Sequence, residues 1–390
     1  MVNITLFSQI ISKLDRSRFN KLSLSKGTDK HNKGYTSWTH LVSMLFCQFA
    51  KSQSVRDISN GLRSATGNLN HMGVQKAPSK SSVSYQNKHR DHNLFKEYYF
   101  CLLESLGQQA GFKQVKFRIK SKIFLLDSTT ISLCLSLFDW AKYKTAKGAV
   151  KMHTLLDYDG NLPAYVNITD GKTADNKGAY QVPLHKGSVI VADRFYNDFY
   201  LLNVWDSKGV FFVIRHKENL QYQSLKENIL PQNRHNNIIK DELIELKTPA
   251  SKKKYGNRLR RVAIWDEKNQ QTIELITNQM TWTANTISEL YKSRWQIEIF
   301  FREIKQNLHI KSFVGTTENA VMIQIWTALI TILILKALKA MAKYKWHLSN
   351  LIAFIRLNIF VKINLQQWLD KPFDEPPKVE PCFHIQGVLF

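Results

Sequence analysis

The spacing of apolar residues changes character twice along the chain. Residues 1 to about 115 carry apolar positions at helical intervals between polar breaks, most clearly over Thr36 to Ala50 and Phe95 to Gly107, with almost no strand-like alternation. From Phe117 short apolar runs take over, FRIKSKIFLLD, VKMHTLLDYDGNLPAYVNIT and GSVIVADRFYND, and these predict strands. The Asp159-Gly160 pair predicts a hairpin that sets Lys151–Tyr158 antiparallel to Leu162–Thr169. A helix is expected near Ala174 to Leu184, then a buried strand from Ser188 to Asp193. Residues 205 to 282 hold four more strand candidates, VFFVIRHKENLQY, IIKDELIELK, RLRRVAIWDE and TIELITNQ, which read as a small β insertion. A long helix is expected from Asn285, where Thr286 and Glu289 have capping-box spacing, to about His309. A second apolar helix, about Asn319 to Lys343, packs behind it.

This pattern divides the chain into residues 1–115, helical; 116–204, the first part of an α/β core; 205–284, the β-rich insertion; 285–345, the second part of the core; and 346–390, a tail suited to dimerisation. In the helical third, SVRDISNGLRSATG and APSKSSVSYQNKHRDHN fit either a helix-turn-helix-like reader or a plain bundle with a solvated basic face. Gly73 to Ser82 reads as a loop. The run Val321 to Leu335 contains Gln324 and falls short of the roughly 20 residues that span a bilayer, so a buried helix is expected. The N-terminus lacks the features of a signal peptide. Cys47, Cys101, Cys134 and Cys382 are scattered without a C-x-x-C pair, which argues against a zinc site or disulfide framework and suits the cytoplasm.

Charge narrows the function. Lys and Arg number 55 against 31 Asp and Glu, a formal charge of +24, and such an excess repels itself unless a polyanion offsets it. DNA is the expected partner, contacted by several regions because the basic residues are spread along the whole chain. The densest run, SKKKYGNRLRR at 251–261, is expected to track phosphates.

Candidate chemistry emerges when the helix from 286 to 309 is projected at about 100° per residue. Tyr291, Arg294, Glu298 and Lys305 share one narrow face, beside an apolar arc of Leu290, Ile297, Phe300, Phe301, Ile304 and Leu308. Glu298 is thereby isolated as the acid among phosphate-binding groups. The strands IFLLD and SVIVAD end in Asp127 and Asp193, placing a lone carboxylate after each apolar run. Three converging carboxylates repel and call for a divalent cation, and oxygen-only ligands select Mg²⁺ or Mn²⁺. A two-ion site of this kind performs phosphoryl transfer. Asp157, Asp159, Asp170, Asp175 and Asp198 read as turn, loop or cap residues, and His153 as a half-buried histidine or a phosphate contact. Trp295 and Trp282 are either core residues or platforms for an unpaired base.

Together these residues resemble the DDE transposases of bacterial insertion sequences, specifically the insertion-sequence-four family, whose hallmark is Y-x2-R-x3-E-x6-K. YKSRWQIEIFFREIK supplies Tyr291, Arg294, Glu298 and Lys305 at that spacing; LLDSTTI resembles the first acid segment and ADRFYND the second, with Phe195 where Gly or Ala is common. The likeness covers about residues 117 to 345. It implies an RNase H-like core interrupted by a β-rich insertion and preceded by an all-α DNA-binding region. It implies catalysis and metal binding by Asp127, Asp193 and Glu298, with Mg²⁺ as two ions and Mn²⁺ able to substitute. DNA contacts would come from Tyr291, Arg294, Lys305 and Trp295, and the working form would be a homodimer on element-end and target DNA. A stand-alone nuclease or a catalytically decayed end-binding protein would share much of this pattern.

Overall fold

Each helix of the N-terminal third starts where the sequence supplies an oxygen for its free N–H groups. In the computed structural model, which describes residues 3–65, 67–107, 119, 121–133, 138–144, 147–216, 218, 220–230 and 237–373, Thr5, Asp15, Thr36, Ser54 and Ser79 accept N–H bonds from the first turns of α1 (Leu6–Ile11), α2 (Arg16–Ser25), α3 (Ser37–Ala50), α4 (Val55–Ser64) and α5 (Lys80–His89). α6 (Asn93–Gly107) completes the group. α4 and α5 pack together, but residues 65–79 separate them, so the pair lacks the short turn of a strict helix-turn-helix. The expected loop ends earlier than its pattern suggested, because the Ser79 hydroxyl starts α5 at Lys80.

The middle of the chain forms one mixed sheet. Its strands are β1 (Ile123–Leu133), β2 (Lys142–Lys144), β3 (Lys147–Asp157), β4 (Leu162–Asp170), β5 (Val189–Ala192), β6 (Phe211–Arg215), β7 (Tyr222–Glu227), β8 (Ile238–Leu246), β9 (Leu259–Asp266) and β10 (Gln271–Thr277). The order is β3-β1-β5-β6-β10-β9-β8-β7, with β2 and β4 both paired to β3. β3 runs antiparallel to β1 and β4, whereas β5 runs parallel to β1 and β6. The predicted β3–β4 hairpin forms, although the left-handed residue at its tip is Asn161, at φ 48°, not Gly160.

VFFVIRHKENLQY holds one strand, β6, and only the first residue of β7; β6 pairs parallel with β5 and antiparallel with β10, so the strands of the expected β insertion continue the central sheet. The helix expected at 174–184 is the short α7 (Asp175–Ala179). α8 (Phe199–Ser207) starts at Asp198 as expected, its carboxylate accepting the Tyr200 and Leu201 N–H bonds.

α9 (Pro249–Lys254) leads into β9, and after β10 the chain becomes helical: α10 (Ala284–Ser293), α11 (Trp295–Asn307), α12 (Glu318–Met341), α13 (Leu348–Leu357) and α14 (Leu365–Asp370). By length and composition α12 could cross a membrane, which corrects the shorter run read from the sequence; yet 83% of its most apolar window is buried inside the protein. It packs on α3, α5 and α6, so the N-terminal helices and one sheet face share a single hydrophobic core. Gln324 belongs in that apolar helix because its amide donates to the His309 and Ser312 carbonyls and accepts the Val314 N–H, holding the 309–314 turn. The segment after Trp346 folds back onto α1, with the Leu6 and Phe7 N–H groups donating to the Val361 and Ile359 carbonyls. Cys134, Cys382 and the tail beyond residue 373 lie outside the described residues.

Candidate active site

Strand pairing brings the two aspartates together. β1 and β5 run parallel with Leu126 beside Ala192, so Asp127 and the next residue after β5, Asp193, fall at neighbouring positions. Asp127 does not end its strand, as its apolar run had implied; β1 continues to Leu133 along β3, and only its pairing with β5 stops there. The lateral neighbour is therefore lost at Asp127, and a gap opens in the sheet beside both carboxyls. Strand alternation puts Asp127 on the face of Leu125, which packs in one core with Ile297, Phe300 and Ile304 of α11.

α11 brings the third acid to that face. The apolar arc predicted for the helix is buried throughout, with Leu290, Ile297, Phe300, Phe301, Ile304 and Leu308 at most 6% exposed. The helix is not continuous: α10 ends at Ser293, and Arg294 sits in a tight turn whose N–H donates to the Tyr291 carbonyl. The start also shifts, to a Thr283 cap instead of Thr286. The stripe survives because Arg294 keeps right-handed helical dihedrals. Its guanidinium lies over the Tyr291 ring, 5.8 Å from the centroid, and donates to Glu298 Oε1 at 2.5 Å and Asp127 Oδ2 at 3.5 Å. Arg294 Nε is buried without a partner among the described residues, so one donor is left for another acceptor.

An open groove of about 450 Å³ borders these groups, lined by Asp127, Ser128, Thr129, Glu298, Phe301, Arg302, Lys305, Gln306 and Lys311. Burial pushes the Asp127 carboxyl up to about 7; the Ser128 N–H counteracts this, while Asp193 and Glu298 add to it. Asp193 is likewise raised, by burial first. Arg294 is held above its ordinary value: burial opposes its charge, but Tyr291, Glu298 and Asp127 outweigh that. Among the described residues no three acidic, histidine or cysteine side chains are gathered closely enough to hold one ion. The donor set nevertheless fits a hard divalent cation, since the acids offer only oxygen and already draw a guanidinium between two of them.

The remaining candidates separate. Lys305 lines the groove, whereas Trp295, at the first turn of α11, is 56% exposed and so is not a core residue. Trp282 is partly buried against Phe211. Of the 251–261 run, Arg260 and Arg261 are spent in ion pairs with Asp241, Glu242 and Glu274, and Lys252 pairs with Glu245 at 3.3 Å, leaving Lys253, Lys254 and Arg258 exposed. Asp175 is more than a loop residue: its carboxylate accepts the Ser128 hydroxyl and pairs with Lys151 at 3.1 Å, on the sheet face opposite Asp127. Because the Ser128 N–H donates to Asp127 Oδ1 at 2.8 Å, this contact bears on the site, and no local spacing in the sequence points to it. His153 is buried and bonded to Thr169, consistent with a structural residue.

Comparison with known proteins adds an independent line. The model of the transposase DDE domain matches residues 118–334, and a domain of unknown function matches residues 2–75. A Geobacillus stearothermophilus protein, "Probable transposase for insertion sequence element IS5377", is 28% identical over 71% of this chain and 72% of its own length. A Synechocystis protein, "Putative transposase for insertion sequence element IS4SA", is 25% identical over 74% of this chain and 80% of its own.

Proposed function

The chain belongs to the transposase DDE domain family, and from that premise we propose that it is a cut-and-paste transposase of the insertion-sequence-four group. In this reading it binds the terminal inverted repeats of its element, cuts there and joins the freed ends to target DNA. The observation that carries it is the Arg294 guanidinium bonded to both Asp127 and Glu298 at the point where β1 loses its parallel partner, with Asp193 following the last paired residue of β5. The strand order β4-β3-β1-β5-β6, antiparallel only at β3, supports an RNase H-like core. Residues 1–115 and 346–390 then serve DNA-end binding and pairing of protomers, and 205–284 is the β-rich insertion.

Asp127, Asp193 and Glu298 would hold Mg²⁺ as two ions, with Mn²⁺ as a substitute. Bound there, the ions would ease formation of the attacking oxygen anion and offset charge on the leaving oxygen. The protein's own groups do the rest. Arg294 offers its guanidinium, whose Nε has no partner among the described residues, to a phosphate beside the cut, where planar bidentate donors suit the geometry. Tyr291 supports that guanidinium from beneath, and Lys305 supplies a point charge further along the groove. The exposed Trp295 ring stacks on a base unpaired at the end. In sequence, water cuts one strand and frees a 3′-hydroxyl; that hydroxyl attacks the opposite strand, closing a hairpin and expelling the 3′-oxygen of the flanking DNA; water reopens the hairpin, and the regenerated 3′-hydroxyl attacks target DNA, expelling a target 3′-oxygen.

Purified protein with Mg²⁺, element-end duplex and a supercoiled target plasmid is expected to yield joined products that migrate with the plasmid. Nicking without joining would replace this reading by a stand-alone nuclease, and binding without nicking by a decayed end-binding protein.

A further inference from the structure

Leading away from the acids, the groove is walled by cations that carry no ion pair. Arg302, Lys305 and Lys311 line it beyond Glu298, and none has a carboxylate partner among the described residues. The wall continues onto the N-terminal helices. Gln48 of α3 accepts the His309 N–H at 2.8 Å, which fixes the turn bearing Lys311 against the end of α3. There Lys51 donates to the Gln306 carbonyl at 3.2 Å, and Arg356 of α13 donates to the Phe49 carbonyl at 3.1 Å. Like charges meet within this group: Lys51 is lowered by burial and then by Arg356 and Lys311, and Lys305 by burial and then by Lys311. Lys51 also occupies the left-handed cap of α3, at φ 53° and ψ 44°, a position that ordinarily favours glycine. A lysine kept in a strained backbone, among like charges and without acids, costs the free protein stability that a polyanion would restore.

Resting on the DNA-transposase reading above, we propose that Arg302, Lys305, Lys311, Lys51 and Arg356 form one track for the DNA backbone, carrying the duplex from Asp127 and Glu298 across to the N-terminal helices. The track joins three segments distant in sequence, α3, the α11–α12 turn and α13, and gives the N-terminal region a direct part in holding the DNA being cut. Among the described residues Lys51 and Arg356 bond only main-chain carbonyls, so their remaining donors stay available to phosphate oxygens.

The test is the salt dependence of binding to a fluorescein-labelled duplex oligonucleotide, measured on the full chain. Each phosphate contact contributes about 0.9 to the slope of log K against log salt, so combining Lys51→Gly, Lys311→Ser and Arg356→Gln should flatten the slope by about 2–3. Lys51→Gly alone should flatten it by about 1 while leaving the melting temperature unchanged or raised, because glycine suits the left-handed cap. A purely structural Lys51 would instead lower the melting temperature and keep the slope. An unchanged slope in the triple variant, with the unmodified protein still cutting and joining DNA, overturns the track alone. Absence of any salt-dependent DNA binding by the unmodified protein overturns the track together with the transposase reading.

Discussion

Replacing Asp127 with Asn is expected to lower DNA-end cleavage about a thousandfold or more while leaving end binding nearly intact, because a lost ligand removes several kcal/mol of charge stabilisation and about 4 kcal/mol corresponds to that factor. Asp127 should be the most sensitive of the three acids. It sits where the β1–β5 pairing stops, it is paired with Arg294, and its carboxyl is the one pushed up to about 7. Asp193→Asn and Glu298→Gln should follow closely. The measurement is single-turnover cleavage of end-labelled DNA in Mg²⁺, beside gel-shift binding in Ca²⁺. A variant that still cuts at a tenth of the normal rate, or one that stops binding, would remove that residue from the cutting role.

The helix stripe could be read in advance because its information is local. Tyr291, Arg294, Glu298 and Lys305 recur at intervals that any right-handed helix brings to one face, and the buried arc beside them fixes which face meets the sheet. The turn at Arg294 interrupts that helix without changing the hand of its backbone, so Arg294 and Glu298 still bond along one face. Asp127 was harder. An apolar run ending in an acid looks like a strand end, yet β1 runs on for six residues along β3 because SerThrThrIleSerLeu can pair and half-bury. What marks Asp127 is the end of β5, a fact held by residues 189–192 and not by its own neighbourhood.

Long-range pairing also explains the remaining surprises. The polar loops that bound the strands of the β insertion do not say where those strands pair, whereas β6 docks between β5 and β10 and extends the core sheet. Asp175 looked like a loop acid until α7 carried it to Ser128. Arg260 and Arg261 read as free cations in a basic run, but alternation along β9 buries each of them against acids on β8 or β10. Conversely Trp295, an aromatic at helical spacing, is exposed as the first residue of α11. Local periodicity specifies a face; only the assembled sheet specifies which faces meet.

Mg²⁺ is expected to raise the melting temperature more at pH 8 than at pH 5.5, and to lose that effect in Asp127→Asn. The sign follows from burial. In the folded protein Asp127 is raised to about 7 and Asp193 is raised too, so between the ordinary carboxylate range and pH 7 the folded state holds more protons than the unfolded chain. The favourable contribution is complete at acid pH and is lost as pH rises through 7, leaving the metal-free protein weakest when its acids are ionised. A cation binds that ionised form and competes with protons for it. At about a hundred times its dissociation constant it should return about 2.7 kcal/mol, with most of the gain above pH 7. Asp127→Asn removes both the acid whose ionisation is costly and a ligand, so in metal-free buffer its stability should fall less steeply with pH, and Mg²⁺ should move it little. Differential scanning fluorimetry across pH, with and without Mg²⁺, reads both effects. Equal shifts at the two pH values, or a full Mg²⁺ shift in Asp127→Asn, would place the ion elsewhere on the protein.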